Sequence, residues 1–212
     1  MEWQYISSKN NALVVRLAKL KDKKYRKAEG LFRFDGIKLF CEAANYDAPI
    51  EYVLVSESAK DKYCSEVEKN CNCNKLYILS DDAFLKLTDE QAPEGIVTVC
   101  SNLNAITSVS DLNDLANEIE NKRVLILESI RDAGNLGTII RSARAFGIDT
   151  LIISSDCADL YNSKTIRAAM GGLFAQRIVV VESVADTVSD MRKLGARVFA
   201  AAIDRDAKNL AR

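Results

Sequence analysis

The chain has 212 residues, of which 48% are hydrophobic, and its 29 basic and 30 acidic side chains give a formal net charge of −1. This length and apolar content suit one large domain or two small ones with a buried core, and the near-zero net charge selects no partner. The absence of histidine excludes a Ser-His-Asp triad, a Cys-His pair and a histidine-ligated zinc site.

Positive charge is concentrated near the start of the chain. Eight basic residues and one acidic residue lie between Lys9 and Lys27, a net charge of +7, so the remainder of the chain carries −8. Such a patch is typical of a nucleic-acid contact, and also of the solvated face of a helix. Residues 10–27 are predicted to form one basic helix, because leucines recur there at helical spacing. The candidate RNA-binding side chains of this segment are Lys19, Lys21, Lys23, Lys24 and Arg26.

The rest of the first 100 residues alternates strands with helices. Strands are predicted at EGLFRFDG, IEYVLVSES, KLYILS and EGIVTVCS, and helices at IKLFCEAANY and DDAFLKLTD. This alternation predicts a small α/β/α layer domain. The polar, acidic segment 101–121 is predicted to be a linker followed by a helix that begins near Ser110 or Asp111.

Residues 122–212 repeat the alternation with more apolar strands. The strands VLILES, TLIISS, RIVVVES and RVFAAAID are separated by helical patterns. Buried apolar strands that alternate with helices predict a parallel sheet covered on both faces.

The six cysteines do not indicate a metal site. Cys64, Cys71 and Cys73 lie close together, but a fourth ligand and C-x-x-C spacing are missing, which favours loose thiols over zinc. The first ten residues have no apolar signal core, and no run approaches the ~18 apolar residues of a membrane span. We therefore expect a cytoplasmic protein with reduced thiols.

The segment RDAGNLGTIIRSARAFGID predicts a helix from about Asn135 to Phe146, directly after a buried strand. Asn135 is predicted to cap its N-terminus, and Gly147 to supply a left-handed residue at its end. Arg141 and Arg144 fall on its polar side. Because ligands bind outside the carboxyl ends of parallel strands, this pattern predicts an anion-tolerant site, although a capped helix with two surface arginines also fits. The predicted apolar stripe is Leu136, Ile139, Ile140, Ala143 and Phe146.

Three segments resemble the SpoU, or TrmH-type, RNA 2′-O-ribose methyltransferases of the SPOUT superfamily. DAGNLGTIIRSARAFGID is similar to the family's first motif, N-x-G-x-x-x-R-x-A, and NSKTIRAAMGGLF to its second. KNNALVVRLAKLKDKKYRKAEGLFRFDGIKLFCEA is similar to the L30e/L7Ae-like substrate-binding domain often fused to these enzymes. The resemblance implies an α/β protein with an L30e-like domain at 1–100, a linker and first helix at 101–121, and a SpoU methyltransferase domain of the α/β-knot type at 122–212.

The resemblance also implies a reaction, which is methyl transfer from S-adenosylmethionine to a ribose 2′-hydroxyl of structured RNA by a homodimer. Ribosomal RNA is favoured as the substrate over transfer RNA. Arg141 matches the motif arginine that activates the hydroxyl or stabilises the alkoxide, and a surface salt bridge is its alternative role. Asn135 would orient the ribose or Arg141.

Further site residues follow from the same resemblance. Arg167 would meet an RNA phosphate or an acid of the first motif, or would pack at the edge of the core, and Arg144 is a further RNA-binding candidate. The segment RVFAAAID matches the family strand that borders the cofactor, and ordinary strand packing is the alternative. The cofactor-binding candidates there are Ala201, Ala202 and Ile203.

The family's third motif has no counterpart in the 212 residues. We therefore expect a knot that is truncated before completion and poor binding of S-adenosylmethionine by this chain. Two alternatives stay open, a non-catalytic RNA-binding protein and an inactive truncated fragment. A nucleotide-binding α/β module fits less well, because G-x-G-x-x-G is absent.

Overall fold

A computed structural model describes residues 2–71, 73–108 and 112–201, with only the backbone at 112 and 113. The first half contains a five-stranded mixed sheet in the order β1-β4-β3-β5-β2. Its strands are β1 (Trp3–Ile6), β2 (Leu31–Asp35), β3 (Ile50–Ser56), β4 (Leu76–Leu79) and β5 (Ile96–Ser101). Its helices are α1 (Ala12–Ala18), α2 (Lys23–Glu29), α3 (Ile37–Asn45), α4 (Lys60–Asn70) and α5 (Asp81–Leu85).

The second half contains an all-parallel sheet in the order β6-β9-β8-β7. Its strands are β6 (Ile106–Ser108), β7 (Val124–Leu127), β8 (Thr150–Ser154) and β9 (Arg177–Val181). Its helices are α6 (Leu112–Ile119), α7 (Ala133–Ala145), α8 (Ser163–Ala169), α9 (Gly172–Ala175) and α10 (Val184–Lys193). Alternate residues of β8 reach opposite faces, because Leu151 and Ile153 join one apolar cluster and Ile152 another. The predicted parallel sheet covered on both faces is confirmed.

The two halves share one apolar core. Phe32 and Phe34 of β2 lie in the same buried cluster as Leu136 of α7 and Phe174 of α9. The rings of Phe34 and Phe174 are 5.2 Å apart, and Phe32 stacks on Tyr161 at 4.4 Å. Apolar area buried across this junction stabilises the arrangement of the halves, at roughly 25 cal/mol per Å² removed from water.

The segment 101–121 does more than link the two sheets. Its residues 106–108 form β6, which pairs with β9, and its Leu103 is buried in the shared core. The helix α6 is described from Leu112, so its predicted start at Ser110 or Asp111 lies outside the described residues. The division at 1–100, 101–121 and 122–212 stays a prediction about folding units.

The predicted single helix over residues 10–27 is wrong. The chain forms α1, a 3₁₀ turn at Lys19–Lys21 and then α2, and the backbone is extended at Asp22 with a ψ of 131°. The leucine stripe still packs inward, since Leu17 and Leu20 are buried. The interruption at Asp22 changes which side of α2 faces the core.

Other differences occur where the sequence pattern is weak. The strand β1 and the polar helix α4 are absent from the sequence prediction, because neither shows a strong hydrophobic period. The predicted strand RVFAAAID is absent over residues 197–201, which have no strand partner in the described part of the chain. Phe199 there is 83% exposed. No helix in the described ranges is long and apolar enough to cross a bilayer.

Candidate functional site

The start of α7 lies just beyond the carboxyl end of β7, and its cap is Asp132. The Asp132 carboxylate accepts a hydrogen bond from the Asn135 backbone N–H at 2.8 Å. The helix therefore begins at Ala133, and the predicted cap at Asn135 is wrong. The physical reason is that a carboxylate three residues earlier satisfies the orphan N–H of the first turn, which leaves the Asn135 side chain exposed.

Asp132 also joins the two motifs. Its second oxygen lies 3.0 Å from Lys164 Nζ, at the start of α8. Asn162 caps α8 by accepting from the Lys164 backbone N–H at 2.9 Å. The N–H of Asn135 and the ammonium of Lys164 hold the pKa of Asp132 below its ordinary value. The sequence analysis did not identify Asp132 or Lys164 as site residues. The signal that could have identified Asp132 is its position three residues before Asn135, which suits a helix cap.

The helices α7 and α8 pack closely at Gly137. A Cβ added there would lie 2.3 Å from the Thr165 carbonyl oxygen and 2.7 Å from the Ala168 Cβ. Only a residue without a side chain fits between these backbones. The first turns of both motif helices are thereby held side by side.

A shallow cavity of about 420 Å³ opens at the start of α7. It is lined by Ser129, Ile130, Arg131, Asp132, Asn135, Thr138 and Ile139. Arg141 does not line it. The structure therefore brings Asn135 together with Asp132, but it places Arg141 outside the cavity wall.

Arg141 is exposed on α7, and its side chain has no hydrogen bond or ion pair with the described residues. The backbone of α9 passes close to it, since a Cβ on Gly172 would lie 3.4 Å from the Arg141 Cα. A charged side chain in this position can reach a ligand anion without first breaking an internal salt bridge. The surface salt bridge considered as its alternative role is not present among the described side chains.

The end of α7 differs from the predicted apolar stripe in one residue. Leu136, Ile140 and Ala143 are buried, but Phe146 is 79% exposed. Arg144 lies over the ring of Tyr46, 5.8 Å from its centroid. Phe146 follows the last helical turn, where the chain turns away through Gly147 (φ +67°), and so it leaves the stripe.

Four of the five basic candidates near the N-terminus are exposed, and one is not. Lys19, Lys21, Lys23 and Lys24 are exposed. Arg26 is only 6% exposed and pairs with Asp159 at 2.6 Å. Its guanidinium also donates to the carbonyl oxygens of Leu20 and Lys21. Arg26 is therefore mostly buried in an ion pair with the second half, unlike the four exposed lysines, and its role as an RNA contact stays a prediction.

Arg167 pairs with Glu90, a residue of the first half. The acid of the first motif, Asp132, pairs instead with Lys164. The predicted contact between Arg167 and the first motif is therefore wrong, and the side chain of Arg167 stays 47% exposed. Like Arg26 with Asp159, the pair of Arg167 and Glu90 joins the two halves of the chain.

Of the three cofactor candidates, the structure describes one. Ala201 is exposed and lies outside any strand, whereas Ala202 and Ile203 lie outside the described residues. The cysteine-rich segment is likewise only partly described. Cys73 N donates to the Cys71 sulfur at 3.3 Å, and the described residues contain no group of three or more His, Cys, Asp or Glu placed to hold a metal ion.

Comparison with known proteins assigns both halves. Residues 122–211 match the model of the SpoU rRNA Methylase family, and residues 11–98 match the MRM3-like substrate binding domain. The chain is 30% identical, over 202 residues, to the 23S rRNA (guanosine(2553)-2′-O)-methyltransferase RlmP of Bacillus subtilis, which covers 95% of this chain and 75% of that protein. The chain belongs to the SpoU rRNA methylase family.

Other relatives and solved structures are longer than this chain. The chain is 29% identical to the mitochondrial rRNA methyltransferase 3A of Danio rerio over 71% of this chain, but it spans only 34% of that relative's length. The crystal structure of an AdoMet-bound rRNA methyltransferase from Sinorhizobium meliloti superposes with a TM-score of 0.70 at 25% identity, over 89% of this chain and 68% of that one. The AdoMet complex of the SpoU methyltransferase AviRb from Streptomyces viridochromogenes shares the fold, with a TM-score of 0.70 at 24% identity, over 88% of this chain and 69% of that one.

Proposed function

We propose that the protein transfers a methyl group from S-adenosylmethionine to a ribose 2′-hydroxyl of ribosomal RNA. The proposal rests mainly on the similarity to RlmP, which is 30% identical over a stretch that covers 95% of this chain. It is also supported by the ion pair that holds the motif helices α7 and α8 together. In this reaction the bond between the methyl carbon and sulfur breaks, a bond to the 2′-oxygen forms, and the hydroxyl proton leaves. The products are S-adenosylhomocysteine and a 2′-O-methyl ribose.

The catalytic roles follow from charge and position. The guanidinium of Arg141 offers hydrogen-bond donors and no acceptor, so it stabilises the developing alkoxide rather than acting as the base. Because the chain has no histidine, the proton passes to another side chain, to water or to the substrate itself. Asn135 is exposed in the cavity at the start of α7 and orients the ribose.

The cofactor would lie against Ala201, Ala202 and Ile203. The one described member fits this role, since Ala201 carries only a methyl side chain, is exposed, and has no backbone hydrogen bond among the described residues. A small side chain with open backbone groups leaves room for an adenosine and offers it hydrogen bonds. The cofactor supplies the methyl group when bound.

A homodimer in the cytoplasm is part of the same proposal. The strand β7 pairs only with β8 among the described strands, and its residues Val124, Leu125 and Ile126 are half-buried. An apolar strand edge left open in this way favours covering by further chain or by a second copy. Light scattering coupled to size exclusion tests the dimer, and a monomer at micromolar concentration would contradict it.

Single-turnover transfer is the test of the catalytic assignment. With saturating RNA, Arg141→Ala should remove most of the transfer rate while cofactor binding survives. Its stability should change little, within roughly 0.5–1 kcal/mol, because the side chain is exposed. Arg192→Ala removes the same charge from an exposed position of another helix, α10, and is the matched control. Equal rates for the two variants would rule out the role of Arg141.

A further inference from the structure

A second cavity lies between the two halves of the chain. Its volume is about 370 Å³, which is within the range of pockets that hold small organic groups. One wall is the helix α2, with Lys23 and Lys27, and the other is formed by the carboxyl ends of β8 and β9. The interruption of the basic segment at Asp22 thus places basic side chains beside the edge of the second sheet where ligands of parallel sheets bind.

We call this cavity the junction pocket. Its lining has an apolar part and a polar part. Ile106, Ile153 and Val180, from three strands of the second sheet, form an apolar part. Ser155 and Glu182 follow directly after β8 and β9, and the Ser155 hydroxyl donates to the Glu182 carboxylate at 2.8 Å. A flat apolar group, a hydrogen-bonding edge and an anion could all be accommodated, and a nucleotide carries all three.

The junction pocket adjoins the cavity at the start of α7. Ser154 lines the junction pocket, and its Oγ accepts a hydrogen bond from the backbone N–H of Ser129, which lines the other cavity. Both serine hydroxyls donate to Asp156, at 2.6 and 2.7 Å. The two cavities are therefore separated by one hydrogen-bonded wall, at the ends of neighbouring strands about 4.8 Å apart.

We propose that the junction pocket holds one unpaired nucleotide of the RNA substrate, next to the nucleotide that is methylated. The phosphate would lie against Lys23 and Lys27, and the base would lie on the apolar part with its Watson–Crick edge toward Glu182. Sequence-specific proteins read RNA through such splayed-out, unstacked bases. This inference rests on the proposed function for its ligand class, because it takes RNA as the substrate.

The Glu182 carboxylate determines which nucleotide base the junction pocket prefers. Glu182 is acceptor-only when ionised, so it favours a base edge that presents adjacent N–H donors. Guanine presents two such donors on its Watson–Crick edge, whereas uracil presents one donor between two carbonyl oxygens. The pocket should therefore prefer guanine, and Glu182→Gln should reduce that preference.

The test measures binding without cofactor or methyl transfer, so its result is separate from that of the proposed function. The probes are a fluorescent single-stranded heptanucleotide with a central guanosine, the same RNA with uridine, and free GMP. Lys23→Glu/Lys27→Glu should weaken binding of the guanosine heptamer at least tenfold. Lys60→Glu/Lys62→Glu makes the same change of charge on exposed residues of α4 that do not line the pocket, and it should weaken binding less than threefold.

A second pair of variants tests occupancy rather than charge. Ser155→Trp should block the junction pocket and abolish the guanosine preference, whereas Ser65→Trp, on the exposed side of α4, should leave both affinity and preference unchanged. Thermal melting monitors folding of each variant. Equal losses for the two charge-reversal variants, or an unchanged preference in Ser155→Trp, would overturn the proposal. GMP binding as tight as the heptamer would assign the pocket to a free nucleotide and overturn the RNA assignment.

Discussion

Arg26 on α2 and Asp159, in the loop before α8, form an ion pair with a nitrogen-to-oxygen distance of 2.6 Å across the junction of the two halves. Arg26→Ala should destabilise the protein by about 3 kcal/mol, because removing one partner leaves the other charge unpaired in a mostly buried site. Chemical denaturation measures the change. Lys24→Ala, which removes an exposed charge from the same helix, should cost less than about 0.5 kcal/mol.

A double-mutant cycle separates the pair from its surroundings. Arg26→Met/Asp159→Leu should recover much of the stability lost in Arg26→Met alone, since no buried charge is left without a partner. Additive losses would show that Arg26 and Asp159 do not interact. A single helix over 10–27 would make Arg26 a surface cation, and this is why the sequence prediction placed it among the RNA contacts. The sequence pattern identifies the basic residues but not the extended conformation at Asp22, which decides the direction of each one.

The packing of α7 on α8 gives a second stability prediction. Gly137→Ala should destabilise the protein by about 2 kcal/mol and reduce methyl transfer, because its Cβ would lie 2.3 Å from the Thr165 carbonyl oxygen and the helices would have to separate. Thermal melting and single-turnover transfer are the measurements. Thr138→Ala, on the exposed side of the same helix turn, is the control and should change stability little. A Gly137→Ala variant as stable as the parent would contradict the packing argument.

The cap of α7 gives a pH dependence with a definite sign. The pKa of Asp132 is lower in the folded protein than in the unfolded chain, chiefly because the Asn135 backbone N–H donates to its carboxylate and then because of Lys164. The Asp132 carboxylate therefore contributes its full stabilisation above about pH 3.9, the pKa of an aspartate in the unfolded chain. This stabilisation is lost as the pH falls through the lower pKa of Asp132 in the folded protein. The melting temperature of Asp132→Ala should be lower than that of the parent at pH 6, and the difference should shrink below about pH 4.

Asp132→Asn is the matched variant for this cap. An asparagine caps a helix about as well as an aspartate, but it cannot form the ion pair with Lys164. Its melting temperature at pH 6 should fall between those of the parent and Asp132→Ala. A difference between parent and Asp132→Ala that does not depend on pH would show that the charge of Asp132 does not stabilise the fold.

The exposed lysines of the basic segment should set the salt dependence of RNA binding. Lys21→Ala/Lys23→Ala/Lys24→Ala should weaken binding and reduce the slope of log K against log salt by about 0.7–0.9 for each RNA phosphate that the variant no longer neutralises. Lys60→Ala/Lys62→Ala/Lys69→Ala removes three exposed lysines from α4 and is the control of equal charge. If both triple variants bind RNA alike, the basic segment has no special role.

The motifs predict where the two motif helices begin because they combine glycines and polar residues in local sequence, and the site residues stay a prediction. The apolar strands of 122–181 and the helix α7 were predictable, since burial on both faces leaves a strong pattern. The junction pocket was not, because Lys23, Ser155 and Glu182 are far apart in sequence and meet only through the packing of the two halves. The pairing of Arg167 with Glu90 depends on the same packing.

Product analysis after label transfer tests the central proposal most directly. The protein is incubated with S-adenosylmethionine carrying a tritiated methyl group and with unmethylated ribosomal RNA, and the RNA is then hydrolysed in alkali. A 2′-O-methyl ribose lacks the hydroxyl that alkaline cleavage requires, so the label should remain in alkali-resistant dinucleotides and should disappear with Arg141→Ala. Label recovered in mononucleotides, or no transfer by folded protein that binds the cofactor, would contradict the proposed function.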